Sequence, residues 1–199
     1  MRMKEPYEAY LDDYNCLDVY MSKNFFGGKS RIFHMKDTKD RIIPLTIQSQ
    51  SDLYNGYTHY SLSLNGNLQM GQEYTVYDEH CKTCVAKYSY IVKTERFAKE
   101  YMYEKEDLGV TYTPEKTTFK VWAPTALAVY VGYVLNGKKI VESMARQDKG
   151  VFSLTVNKDL NGVHYSYLVR VNGEYKGVTD PYTCFSGPNG QYSVIVDPK

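Results

Sequence analysis

Apolar and polar residues alternate with a period of two along most of the chain. The runs Thr58-His59-Tyr60-Ser61-Leu62-Ser63-Leu64, Tyr74-Thr75-Val76-Tyr77, Tyr88-Ser89-Tyr90-Ile91-Val92 and Thr118-Phe119-Lys120-Val121-Trp122 each place one chemical type on one face. Successive strand residues point to opposite sides, so these runs predict half-buried β-strands. Asn65-Gly66, Asn136-Gly137, Asn161-Gly162 and Asn172-Gly173 separate strand-like runs and supply the positive φ angles that hairpin turns need. From Val110 to Val196 the pattern is strand, turn, strand, a density that predicts a β-sandwich. One helix is predicted from Glu95 to Tyr103, with Phe97, Ala98 and Tyr101 on one face and Thr94 as its cap. The charged run Glu104-Lys105-Glu106-Asp107-Leu108-Gly109 then sets a domain boundary near residue 104. The expectation is an all-β protein of two modules, 1–104 and 105–199.

A chain of 199 residues accommodates two such modules, each large enough for its own core. Lys and Arg total 24 against 23 Asp and Glu, so no basic excess points to nucleic acid. The N-terminal residues carry charges where a signal peptide would be apolar, and no later segment is long and apolar enough to span a membrane. A cytoplasmic protein is expected, with no membrane partner. Tyrosine is abundant, 21 residues against one Trp. Its ring packs on a pleated surface while its hydroxyl tolerates a wet edge, which suits half-buried strands and also sugars, polar ligands with apolar faces.

Candidate chemistry is sparse. Cys81 and Cys84 form a single CxxC within His80-Cys81-Lys82-Thr83-Cys84, without the second pair that a zinc ribbon needs, so they read as thiols of a hairpin loop. No metal or cofactor is expected. Glycoside hydrolysis needs two carboxyl groups about 5–5.5 Å apart for the retaining route. Asp12-Asp13 is the nearest pair in sequence, but adjacent strand residues diverge, which favours a turn or edge role. His34, His59, His80 and His164 accompany no nucleophile motif. Phe25-Phe26-Gly27-Gly28-Lys29-Ser30 lacks the spacing of a phosphate loop and reads as a hairpin connection. If Phe119 and Val121 face a core, Trp122 lies on the outer face, placed for stacking on a glucose ring or for packing against another module.

The second half carries a more specific signal. Leu108-Gly109-Val110-Thr111-Tyr112-Thr113 and Thr118-Phe119-Lys120-Val121-Trp122-Ala123-Pro124-Thr125-Ala126 are followed by Lys149-Gly150-Val151-Phe152, Leu160-Asn161-Gly162-Val163-His164-Tyr165, Thr179-Asp180-Pro181-Tyr182 and Ser193-Val194-Ile195-Val196-Asp197. This series resembles the carbohydrate-binding module family 48 domain that precedes the catalytic barrel in type I pullulanases of glycoside hydrolase family 13. The first half, through Tyr7 to Asp13 and Ile91-Val92-Lys93-Thr94, is similar to the N-terminal module of the same enzymes. In some of them that module binds maltooligosaccharide and is classed as carbohydrate-binding family 68.

The resemblance implies two immunoglobulin-like β-sandwich modules in tandem and a non-catalytic role. The barrel motif and the strand-end nucleophile and acid motifs are absent, and the chain stops about where the barrel should begin, so an inactive N-terminal fragment of an α-1,6-glucan debranching hydrolase is expected. Implied partners are an α-glucan or maltooligosaccharide and the enzyme's own catalytic barrel. The alternative is a stand-alone adaptor that binds glycogen or starch. The positions matching the proposed sugar site are Tyr14, Tyr88, Ser89 and Lys93, the last three along one strand. Family members tend to have a small residue and Arg in place of Ser89 and Lys93. Trp122 is expected to serve interdomain packing.

Overall fold

The computed structural model describes residues 5–65, 68–183, 185–187 and 190–197. The chain is all-β with β-sandwich-like modules, and it divides into two compact units, residues 1–99 and 100–199.

The first unit contains β1 (Tyr7–Asp13), β2 (Cys16–Ser22), β3 (Phe33–Lys36), β4 (Ile42–Asp52), β5 (Tyr57–Leu64), β6 (Thr75–Asp78) and β7 (Thr83–Tyr88). Its sheets join at both sides, so the strands follow one another around a closed barrel in the order β1-β2-β5-β4-β3-β6-β7. A parallel pairing of β1 with β7, Ala9 opposite Ala86 and Leu11 opposite Tyr88, makes the closure. Closure removes the free edge strands of an open sheet, although β3 pairs only with Ile42 to Leu45 of the longer β4. The period-two pattern places Tyr7, Ala9, Leu11, Leu17, Val19, Met21, Tyr60 and Leu62 inside, all fully buried.

Buried tyrosine rings fill this core while their hydroxyls hold loops. Tyr7 donates to Lys82 O at 2.6 Å, and Tyr60 donates to Gly28 O at 2.8 Å while accepting the Ser30 N–H at 3.0 Å. Burial pushes both phenols above their ordinary range, so they stay neutral donors. Gly28 sits at φ +72°, where a Cβ would stand 2.4 Å from Thr58 Oγ1, so glycine alone fits. This segment was expected to be a hairpin connection and is instead a 3-10 turn (Phe26–Gly28) joining β2 to β3. Those strands are not neighbours in the barrel, so no hairpin can form.

The second unit contains β8 (Gly109–Thr113), β9 (Lys116–Trp122), β10 (Ala128–Leu135), β11 (Lys138–Ser143), β12 (Ala145–Arg146), β13 (Val151–Val156), β14 (His164–Val171), β15 (Glu174–Val178) and β16 (Ser193–Val194). One sheet has the order β12-β13-β9-β8; the other has β11-β10-β14-β15, with β16 also paired to β14. Phe119, Val121, Val129, Val131, Tyr133, Phe152, Tyr165 and Tyr167 interdigitate between them. Asn136-Gly137 and Asn172-Gly173 close two-residue hairpins with positive φ at both positions, as the sequence predicts. Asn161-Gly162 does not: it lies on the crossover from β13 to β14, which belong to different sheets, and of the two only Gly162 has positive φ. The remaining pair, Asn65-Gly66, lies partly outside the described residues.

Two of the sequence signals turn out to be structural devices. Asp180 is buried, accepts the hydroxyls of Tyr165 at 2.7 Å and Tyr167 at 3.3 Å, and its N–H donates to Ser193 Oγ at 3.1 Å. It thereby ties the Thr179-Asp180-Pro181-Tyr182 segment onto β14 and β16. Gly150 has φ +74°, and a Cβ there would meet Pro124 Cα at 2.3 Å, which links Lys149-Gly150 to Ala123-Pro124.

Candidate functional site

The predicted sugar-site residues surround the end of β7. The alternation from Tyr88 to Val92 suggested a continuing strand, but β7 ends at Tyr88 and a 3-10 turn follows (Tyr90–Lys93). Ser89, at φ −129° and ψ −117°, leaves the extended region and its N–H makes a last bond to Leu11 O at 3.0 Å. Ser89 and Lys93 therefore stand on a turn and not along one strand with Tyr88.

Local chemistry fixes this turn. Ile91, fully buried, anchors it in the barrel core. The Tyr90 N–H donates to Asp12 Oδ1 at 3.2 Å, which ties the turn to β1. Thr94 donates its hydroxyl to Ile91 O at 2.8 Å and accepts the Phe97 N–H at 3.2 Å, so it closes the turn and caps the helix α1 (Glu95–Tyr101). Phe97 is the buried residue of α1, whereas Ala98 is exposed.

This scaffold sorts the four expected residues. Tyr14 is 5 % exposed and the Arg96 guanidinium lies 3.9 Å from its ring centroid, so its face is occupied by a cation and offers no open platform. Tyr88 accepts the Gln72 N–H at 3.2 Å and donates to Gln72 O at 2.8 Å, so its hydroxyl secures the 69–72 segment. Ser89 is half-buried and Lys93 exposed. Residue-by-residue reading missed the largest exposed ring of the turn: Tyr90 is 63 % exposed, with Lys93 Nζ 4.8 Å from its centroid. The only sequence signal for it is a tyrosine inside a run whose alternation stops.

Such a surface suits a hydroxylated ligand with an apolar face. An exposed ring such as that of Tyr90 is a surface of the kind that meets a sugar face, and Lys93, over the ring, and Ser89 carry donor groups. Among the described residues no group of three or more His, Cys, Asp or Glu is arranged to hold a metal. Cys81 is exposed at φ 62° in the turn between β6 and β7, while burial pushes the Cys84 thiol up to about 12.

In the second unit Trp122 is on the outer face, 36 % exposed, with Phe119 and Val121 inward as expected. Its indole N–H is shared between Tyr101 O and Lys149 O, each at 3.0 Å. A shallow cavity of about 500 Å³ lies by the end of β10 and the start of β14, in the other sheet, bordered by Val134, Asp159, Asn161 and His164.

With this geometry in view, the comparisons with known proteins are specific. Residues 7–93 match the family described as pullulanase N1-terminal domain, and residues 107–183 match carbohydrate-binding module 48 (isoamylase N-terminal domain). Each unit thus matches one domain model, the first that of a pullulanase N1-terminal domain and the second that of carbohydrate-binding module 48. A pullulanase of Bacillus subtilis (strain 168) is 27% identical over 198 residues, 98% of this chain and 27% of the relative. The solved type I pullulanase from that strain, complexed with maltose, superposes with a TM-score of 0.89 at 26% identity, covering 100% of this chain and 28% of that one. A pullulanase from Anoxybacillus sp. LM18-11 complexed with maltotriose gives 0.86 at 32% identity, over 96% of this chain and 28% of that one. The chain thus spans little more than a quarter of these pullulanases' length.

Proposed function

We propose that this chain is the non-catalytic, glucan-contacting front end of a pullulanase-type hydrolase of α-1,6 links, and that the turn from Ser89 to Lys93 makes the contact. The observation that carries this is the Tyr90 ring on a turn tied to the barrel: Lys93 Nζ lies over it, 4.8 Å from its centroid, yet the residue is still 63 % exposed, whereas Tyr14 under Arg96 is 5 % exposed. Relatives solved with maltose and maltotriose support a maltooligosaccharide as the ligand. Arg96 of the following helix packs on Tyr14, and Tyr88 holds the neighbouring loop. The second unit, with Trp122 outward, serves as the packing module toward the enzyme's own catalytic barrel, in a cytoplasmic protein.

The reading is tested by titrating the isotopically labelled chain with maltotetraose while following backbone amide shifts. Perturbations should centre on Ser89 to Lys93 and Arg96. Shifts centred on Trp122 or on the Asp159 to His164 segment would move the site to the second unit. Incubation with pullulan should release no reducing ends above buffer, because the sequence carries neither the barrel motif nor the paired-carboxylate motifs that such hydrolysis needs. Sustained turnover by a contaminant-free preparation would refute the non-catalytic assignment.

A further inference from the structure

In the first unit β4 outruns its neighbour β3. β5 pairs along one side of β4 from Leu45 to Asp52, whereas β3 covers only Ile42 to Leu45 on the other. Among the described residues, no main-chain bond reaches Thr46 to Asp52 from the β3 side. These groups form an open strand edge, and the residues from Gln48 to Asp52 are all exposed. At the tip of the same hairpin Tyr54 is fully exposed, and Ile42 at the start of β4 is exposed as well.

An open edge pairs with other strands unless charge, proline or brevity blunts it. The edges of the second unit are blunted in these ways. β11 carries Lys138, Lys139 and Glu142, β15 carries Glu174 and Lys176, β12 has two residues, one of them Arg146, and β8 has five, with Gly109 buried against Tyr182. In contrast, Thr46-Ile47-Gln48-Ser49-Gln50-Ser51 has no charge and no proline, and the Asp52 carboxylate that follows is paired with Lys23 Nζ at 3.2 Å. A bulge interrupts the register with β5 between Ile47 and Ser49, where the Gln48 amide donates to Ser63 Oγ at 2.7 Å. Pairing with β5 resumes from Ser49 to Asp52, so the main chain there stays extended and its outer side stays open.

We propose that this edge is a self-association surface whose partner is a second copy of the chain, β4 pairing antiparallel with β4 about a two-fold axis near Gln50. An uncharged strand can lie against its own copy without like charges meeting, which a charged edge cannot do. Two-fold pairing is isologous, so one stretch of main chain supplies both halves of the ladder. Pairing about Gln50 also sets Tyr54 of one copy level with Thr46 of the other, next along the strand's outward face to the exposed Pro44, so the free ring gains an apolar contact. A single strand pair with one ring per copy falls short of the roughly 1,200 Å² that stable interfaces bury, so association is weak and shows only at high concentration.

Sedimentation and backbone amide shifts of the chain should be followed from about 20 µM to about 1 mM. The mass should rise from monomer toward dimer, with shift changes confined to Thr46 to Tyr54. Gln50→Lys and Gln50→Glu each bring like charges together at the axis and should weaken association about fivefold. Mixed in equal amounts they bring opposite charges together and should associate at least as tightly as wild type. Tyr54→Ser should weaken association several-fold and leave the melting temperature unchanged. A mass that stays monomeric across the range overturns the proposal, as does association whose shift changes lie outside Thr46 to Tyr54. Charge variants that associate like wild type, or a mixture no tighter than either alone, overturn the two-fold pairing. Shift changes along the edge on adding maltotetraose, at constant mass, would make it a sugar contact and likewise overturn self-pairing. The concentration series on wild type decides the point even where a variant fails to fold.

Discussion

Removing the Tyr90 side chain should weaken maltotetraose binding about tenfold without unfolding the module. A ring covering one sugar face hides on the order of 100 Å² of apolar surface, worth roughly 2.5 kcal/mol at about 25 cal/mol per Å². Tyr90 is 63 % exposed, so about two thirds of that is available, roughly 1.5 kcal/mol, or about tenfold. Wild-type affinity should itself be about millimolar, because association entropy and sugar desolvation offset most of what one ring contributes. Tyr90→Ala is best compared with Tyr14→Phe, which keeps the ring under Arg96. Amide-shift titrations give both dissociation constants, and thermal melts verify folding. If Tyr90→Ala binds within twofold of wild type while remaining folded, the ring is not the platform and the argument from exposure fails.

Other outcomes follow from geometry elsewhere. Gly150 and Gly162 share φ +74°, but only at Gly150 would a Cβ meet backbone, at 2.3 Å from Pro124 Cα. Gly150→Ala should therefore cost about 3 kcal/mol or more and Gly162→Ala about 1 kcal/mol, read from denaturant melts, and equal costs would contradict the steric account. Brief alkylation at pH 8 with peptide mapping should label Cys81 long before Cys84, whose burial holds its thiol at about 12; equal labelling would mean that the barrel wall opens readily. Asp18→Asn should raise the melting temperature at pH 7 and not at pH 3. The folded-state pKa of Asp18 is raised, so its contribution is present below the unfolded value and is lost as pH rises through the folded one. A gain at pH 3 of the same size would show that charge is not the cause.

The strands were legible because the two-residue period survives wherever one face of a strand is buried. Thr58 to Leu64 and Thr118 to Trp122 lie within β5 and β9, with the predicted residues inside. The cap at Thr94 was legible because capping is local chemistry. Closure of the first unit was not, since it rests on three residue pairs between β1 and β7 that lie 77 positions apart in sequence. The break after Tyr88 was also hidden: Tyr90 and Ile91 continue the strand composition, and only a bond to Asp12 across 78 residues shows why the chain turns.

Tyrosine shows the same division between composition and contact. Its abundance fitted both half-buried strands and a sugar surface, and the outcome for each ring depends on where its hydroxyl meets an acceptor. Tyr7 and Tyr60 reach loop carbonyls, Tyr88 reaches Gln72, and Tyr165 and Tyr167 reach Asp180, so these rings are drawn inward or pinned along their edges. Tyr14 is claimed by a guanidinium. Tyr90 is fixed differently, through its backbone N–H, and this leaves the ring outside while the residue itself is held in place. A platform for a weak ligand needs both properties, because a mobile ring loses much of the contact energy on ordering. On the proposed reading, anchoring by the main chain therefore singles out Tyr90 in a way that abundance or burial of tyrosines does not.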